Sequence, residues 1–185
     1  MLTQEKSIRK LIAKVGMTDW SDADTPMAAN TKLSKSDCPN QITAATMQDE
    51  QRWYRSTVAS LIYFSNWTRP DLTYAVGKLC KYMHNPGKAH IIALKRTLRY
   101  LKSTADYGLV YDFGFNNNRT AKSGVYGYYD VSHADDSDSR KSTMGFIFYL
   151  EGCPITWKSK LHSFITTSTN HSEYCSAAKA SREAK

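Results

Sequence analysis

A chain of 185 residues with 41% apolar content, twelve tyrosines and four tryptophans can bury a core and is too aromatic for a disordered segment. The longest apolar run, VASLIYF at 58–64, falls well short of the roughly eighteen residues a bilayer needs, and the charged start MLTQEKSIRK lacks a signal peptide's apolar stretch. Cys38, Cys80, Cys153 and Cys175 are scattered without a C-x-x-C pair, which excludes zinc-ribbon spacing and a disulfide framework. These features point to an intracellular protein of the cytoplasm or nucleus, with no membrane partner, in which the N-x-S/T matches at Asn66, Asn118 and Asn170 are chance.

Ile8, Leu11, Ile12 and Val15 have helical spacing over 4–16, ended by Gly16. The polar stretch that follows, with Pro26 and Pro39, reads as a long irregular connector. A second helix is predicted from about Asp49 to Ser65, with Trp53, Val58, Leu61 and Ile62 inward. TRPD breaks it, and Pro70 opens a third helix whose apolar set is Leu72, Ala75, Val76, Leu79 and Met83. After NPG at 85–87, a fourth helix over 88–103 puts Ile91, Leu94, Leu98 and Leu101 on one side. Beyond Thr104 the period changes. YGLVYDF (107–113), SGVYGYYDVS (123–132), STMGFIFYLEG (142–152) and PITWKSK (154–160) read as strands, with a tight hairpin at EGCP (151–154) and a turn at FGFNNN. From Ser168 the helix formers return, and the pattern is still running at the last residue. The expectation is an α+β chain: a helical region over 1–105, then a strand-rich region over 106–185.

Between Arg69 and Lys102 eight basic residues meet a single acid, Asp71, so +7 of the net +8 lies in that stretch. Such clustering fits a polyanion partner, with Lys78, Lys81, Lys95, Arg96, Arg99 and Lys102 as contacts; solvated helix faces are the alternative.

GYYDVSHADDSDSRKSTMGF, 127–146, carries four aspartates within nine positions. Asp135, Asp136 and Asp138 lie among serines and read as a solvated hairpin tip. Asp130 ends an aromatic strand, either as a cation ligand or as a cap of its own backbone. Glu173 sits in the first turn of the last helix, where it could complement the positive helix end or serve as a second hard oxygen donor. Two carboxylates are too few for a pair of metals. No G-x-S-x-G or phosphate-cradling glycine loop occurs, His171 and Cys175 are one helical turn apart rather than a triad, and His133, His162 and His171 lack metal spacing with cysteine.

The block YRSTVASLIYFSNWTRPDLTYAVGKLCKYMHNPGKAHIIALKRTLRYLKSTADYGLVY, 54–111, resembles the end of the reverse transcriptase region in Pol polyproteins of copia-class LTR retrotransposons. LTQEKSIRKLIAKVGMTD and DTPM resemble the segment before it. GYYDVSHADDSDSRKSTMGFIFYLEGCPITWKSK and STNHSEYCSAAKASREA resemble the opening of that class's ribonuclease H domain. The resemblance implies an incomplete ribonuclease H-like fold, three antiparallel strands and then a helix, behind a helical polymerase tail. It also implies Asp130 and Glu173 as catalytic, magnesium-binding residues, and Arg140 joins the basic contacts to nucleic acid. The parent activities would be RNA-directed DNA synthesis and two-metal cleavage of the RNA strand of RNA/DNA hybrids, with ions about 4 Å apart.

The departures bear on this. Ser132 and His133 replace the family's second aspartate and tryptophan, and Ala59 replaces a glycine. The third metal-binding aspartate and the polymerase's Y-V-D-D are not within these residues. The expectation is a fragment of the polyprotein that is catalytically incomplete alone, contacts hybrid or duplex weakly, and acts with the remainder of Pol. An active nuclease and a non-catalytic nucleic-acid or protein interaction module are the alternatives. An unfinished sheet would also expose a strand edge.

Overall fold

The computed structural model describes residues 1–40, 47–111 and 124–183. Part of the predicted connector, the end of the 107–113 strand, the FGFNNN turn and Asn118 lie outside the described residues. The chain divides into two compact units, Thr3–Gly108 and Leu109–Lys185 with Met1–Leu2. Two very short strands, β1 (Leu2–Thr3) and β2 (Gly108–Leu109), pair with each other.

The first unit is built on α1 (Glu5–Lys14), α2 (Gln48–Trp67), α3 (Thr73–Cys80) and α4 (Lys88–Ser103). Pro70 starts a single 3₁₀ turn, Pro70–Leu72, that leads into α3, because its ring fixes φ and its missing N–H is not needed at a helix start. The core joins Ile8, Leu11 and Ile12 to Tyr54, Val58 and Leu61, to Leu72, Val76 and Leu79, and to Leu94, Leu98 and Leu101. The α2 seam is rotated slightly from the expected one. Tyr54 and Phe64 are buried beside Val58 and Leu61, whereas Trp53 and Ile62 only flank the core. The Tyr54 hydroxyl donates to Leu79 O (2.9 Å), so the polar end of this buried ring is satisfied, and burial pushes its pKa up.

The described part of the connector between α1 and α2 has little regular structure but is well seated. Met17, Ala23, Leu33 and Met47 are buried, and Tyr82 Oη donates to Leu33 O (2.7 Å). At Gly87, the N-cap of α4, a Cβ would fall 1.9 Å from Asp37 O, so only glycine permits this approach of connector and helix. His90 closes the cap: its Nδ1 accepts the Gly87 N–H at 2.9 Å while its ring stacks on Tyr82.

Arg69 is the largest fully buried side chain among the described residues. It pairs with Asp71 (2.7 Å) and donates from Nη1 to Thr104 O (2.8 Å) and from Nη2 to Thr104 Oγ1, linking the start of α3 to the end of α4. Tyr100 and Tyr107 rings lie against the guanidinium, each 5.6 Å from ring centroid to Cζ.

The second unit is a three-stranded antiparallel sheet, β3 (Val125–Ser132), β4 (Thr143–Leu150) and β5 (Cys153–Leu161) in sequential order, followed by α5 (Thr169–Glu183). Leu150 pairs with Cys153, so Glu151 and Gly152 form a two-residue hairpin loop, both at positive φ (49° and 81°). The Glu151 carboxylate accepts the Gly124 N–H (2.7 Å), tying this loop to the start of β3. α5 lies over one sheet face, where Ala180 packs on Met144 and Phe146, with Phe148 beside them. No helix among the described residues is long and apolar enough to cross a membrane.

Two stability outcomes follow from the buried polar groups. Arg69→Ala takes the guanidinium from Asp71 and Thr104, leaving them the Tyr100 hydroxyl and the Tyr107 N–H as donors, and should cost about 3 kcal/mol in urea denaturation; Arg69→Lys should not restore it, because an ammonium cannot reproduce the fork. His162 is buried, with Nε2 3.1 Å from Ser176 Oγ and Nδ1 unpartnered among the described residues. Burial lowers its pKa from the ordinary 6.5, and Lys179 and His171 add to this. The unfolded chain then takes up the proton first, so the second unit should be fully stable above pH 6.5 and lose stability as pH falls below it. Melting temperatures of the wild type should drop across that range, and those of His162→Asn should drop less.

Candidate metal and nucleic-acid site

The junction of β3 with the first turn of α5 is held by hydroxyls around one imidazole. His133 Nδ1 lies 3.3 Å from both Ser172 Oγ and Thr166 Oγ1 and 3.4 Å from Ser142 Oγ, and Ser142 and Thr166 meet at 2.8 Å. Ser172 Oγ donates to Thr169 O (2.8 Å), which leaves it an acceptor toward the ring. Ser142, Thr166 and Ser172 are all buried, so this cluster is a polar core fixing where α5 starts. His133 is one of its members.

Asp130 lies near the end of β3, opposite Gly145, and is exposed. Glu173 is the fifth residue of α5, just past the first turn where the sequence reading put it, because the helix begins at Thr169; it is exposed too. The ladder pairs Tyr129 with Phe146 and Val131 with Met144, the residues under α5. Strand alternation therefore puts Asp130 on the other face, with Tyr126 and Tyr128. Magnesium takes octahedral oxygen coordination, and a two-metal site needs several carboxylates at one point. Among the described residues no three His, Cys, Asp or Glu side chains come together. The donor set present does not fit a magnesium pair.

The neighbouring aspartates are not a uniformly solvated tip. Asp136 is buried and accepts from the N–H (3.0 Å) and hydroxyl of Ser139, while Asp135 accepts from Thr143 Oγ1 (2.7 Å). They shape the β3–β4 turn, in which Arg140 is exposed with φ at 57°.

The basic residues of α4 face the connector. Arg99 donates to Ser21 O (2.6 Å) and Asp22 O (2.9 Å), and Lys102 to Trp20 O (2.5 Å) and Thr18 O (3.2 Å), with an ion pair to Asp22 (3.0 Å). Arg96 donates to Thr25 Oγ1 (2.9 Å), and Lys95 sits over the Trp20 ring. Lys78 and Lys81 lie over Tyr74 and Tyr82. The predicted contacts are thus all placed, four of them on one side of α4 as internal clamps.

A second basic group was not singled out from the sequence. Lys158 and Lys160 on β5 and Lys179 and Arg182 on α5 surround a cavity of about 220 Å³ floored by Met144 and Phe146, with Glu183 also on its wall. These residues are spread over 25 positions, so no charge run marks them; period-2 spacing on the strand and i, i+3 spacing on the helix were the available signals.

No family model matches the chain, and no solved structure matches it. Curated relatives do. The chain is 36% identical over 182 residues to the retrovirus-related Pol polyprotein from transposon TNT 1-94 of Nicotiana tabacum, matching 98% of this chain and 13% of that protein. It is 36% identical over 98% of its length to the Pol polyprotein from transposon RE1 of Arabidopsis thaliana, covering 12% of that one. The secreted RxLR effector protein 161 of Plasmopara viticola is 41% identical over 71% of this chain and 88% of its own length. The chain therefore spans about an eighth of the Pol polyproteins it matches. Matched to these polyproteins over nearly its whole length, the chain belongs to the family of copia-type retrotransposon Pol polyproteins.

Proposed function

We propose that this chain is the Pol segment joining the end of the reverse transcriptase region to the opening of a ribonuclease H-like domain, and that it contacts an RNA/DNA hybrid or duplex as part of a longer polyprotein. The observation that carries this is the match of 98% of the chain to retrotransposon Pol polyproteins. The order of three antiparallel strands and then a helix that carries Glu173 supports the ribonuclease H-like reading. RNA-directed DNA synthesis and magnesium-dependent hybrid cleavage are assigned to the longer protein. Here Asp130 on β3 and Glu173 on α5 are the two carboxylates this reading draws on, and a complete site needs further donors from elsewhere in Pol.

Lys78, Lys81 and Arg140 are the direct contacts to phosphate in this reading. Lys95, Arg96, Arg99 and Lys102 contribute charge while holding the connector. That internal engagement also favours the second reading, a non-catalytic module that binds another protein.

Anisotropy titration of a labelled RNA/DNA hybrid should show affinity falling at least tenfold between about 50 and about 200 mM salt, with little dependence on sequence. Salt-independent retention would remove the electrostatic reading. In magnesium the chain should leave the hybrid uncut, whereas cleavage that Asp130→Asn abolishes would show a complete site.

A further inference from the structure

The cavity between β5 and the C-terminal half of α5 combines an apolar floor with cationic walls. Its floor is apolar, Met144 and Phe146, with Phe148 tilted against Phe146 at 5.5 Å between centroids. Its walls carry Lys158, Lys160, Lys179 and Arg182 against one acid, Glu183. Among the described residues none of these four cations forms an ion pair. Lys179 is steadied by the Phe164 ring, 5.4 Å from its Nζ.

The two rows of charge run along two elements. Lys158 and Lys160 share a strand face about 7 Å apart. Lys179 and Arg182 are helical neighbours, about 5–6 Å apart at Cβ. A single small anion would be served by one row; two rows flanking an apolar floor suit an extended polyanion that also carries flat apolar groups. At about 220 Å³ the cavity lies below the roughly 300–1,000 Å³ of sites that enclose a whole free ligand, so it admits one unit of a polymer whose remainder lies outside. Charged grooves with apolar or aromatic platforms for successive bases are how single strands are held without sequence preference.

We propose that this cleft is a single-stranded nucleic-acid site, in which Lys158, Lys160, Lys179 and Arg182 hold phosphates and the Met144–Phe146 floor receives a base. Glu183 accepts from a base amine or a ribose hydroxyl. The inference rests on the reading that the chain meets nucleic acid, but it names a different surface and a different strandedness.

The test uses the whole chain and two probes, a fluorescein-labelled mixed-sequence DNA single strand and an RNA/DNA hybrid. Lys158→Gln/Lys160→Gln should weaken the single strand roughly tenfold and make its log–log salt slope shallower by about 1.4, at 0.7 per lost contact. It should leave hybrid affinity within about twofold. Lys78→Gln/Lys81→Gln should show the reverse preference. Both lysines of the first pair are exposed, so melting temperature should be unchanged, and Lys179→Gln gives an independent variant on the other wall. Unchanged single-strand affinity in both variants, with hybrid binding intact, overturns this inference alone. A wild-type chain that binds neither probe overturns it together with the reading it rests on. Displacement of the single strand by polyglutamate at equal charge concentration overturns the base-in-cavity assignment and leaves an acidic peptide as the ligand.

Discussion

Backbone carbonyls outside helices and sheets must find donors, and in the helical unit that requirement is met largely by side chains of α4. The segment from Thr18 to Asp22 makes almost no regular structure, yet its oxygens at Thr18, Trp20, Ser21 and Asp22 accept from Lys102 and Arg99. Thr97 does the same for Pro26 O, Tyr82 for Leu33 O and Asn85 for Pro39 O. The packing of Met17, Ala23 and Leu33 into the core depends on this, because buried apolar groups cannot enter without the adjoining peptide groups. One face of α4 builds the core and another holds the connector, which accounts for both its apolar seam and its arginines.

The sheet unit solves a similar problem with hydroxyls. Ser142, Thr166 and Ser172 close around His133, and Ser176 meets His162, so the seam between α5 and the sheet is polar at one end and apolar at Met144, Phe146 and Ala180. Polar contacts of this kind fix a single seating for a helix that has only a short apolar stripe. The small side chains of α5 allow the approach: its buried residues are Ser172, Ser176 and Ala180, four apart each time.

Much of the fold was legible because it rests on local pattern. The fourth helix runs over Lys88–Ser103 with all four expected apolar residues buried, since NPG forbids helix before it and a 3.6-residue stripe continues through it. The hairpin at 151–152 was legible from a glycine at the position that needs positive φ. The α2 seam was read out of phase because Trp53 and Ile62 are as apolar as Tyr54 and Phe64, and only tertiary packing decides among them. Asp136 was read as solvated because the burial of a turn carboxylate depends on how Ser139 folds back, which spacing does not reveal. For the candidate site, Asp130 and Glu173 were picked by element position and family pattern, but the side of the sheet Asp130 occupies follows from register, a long-range property. The cations around the α5 cavity come together only through the same long-range packing.

The clamps on α4 have an electrical consequence. A carbonyl is a dipole without net charge, so Arg99, bound to Ser21 and Asp22 oxygens, keeps its full unit of positive charge. Lys95 over an indole ring does likewise. Only Lys102, facing Asp22, is neutralised. Tethering therefore removes motion from these side chains without cancelling their field, leaving a rigid array of positive potential above the helix. Such an array acts at a distance, accelerating the capture of anionic partners and orienting their approach, even where none of its members touches the partner once it has docked.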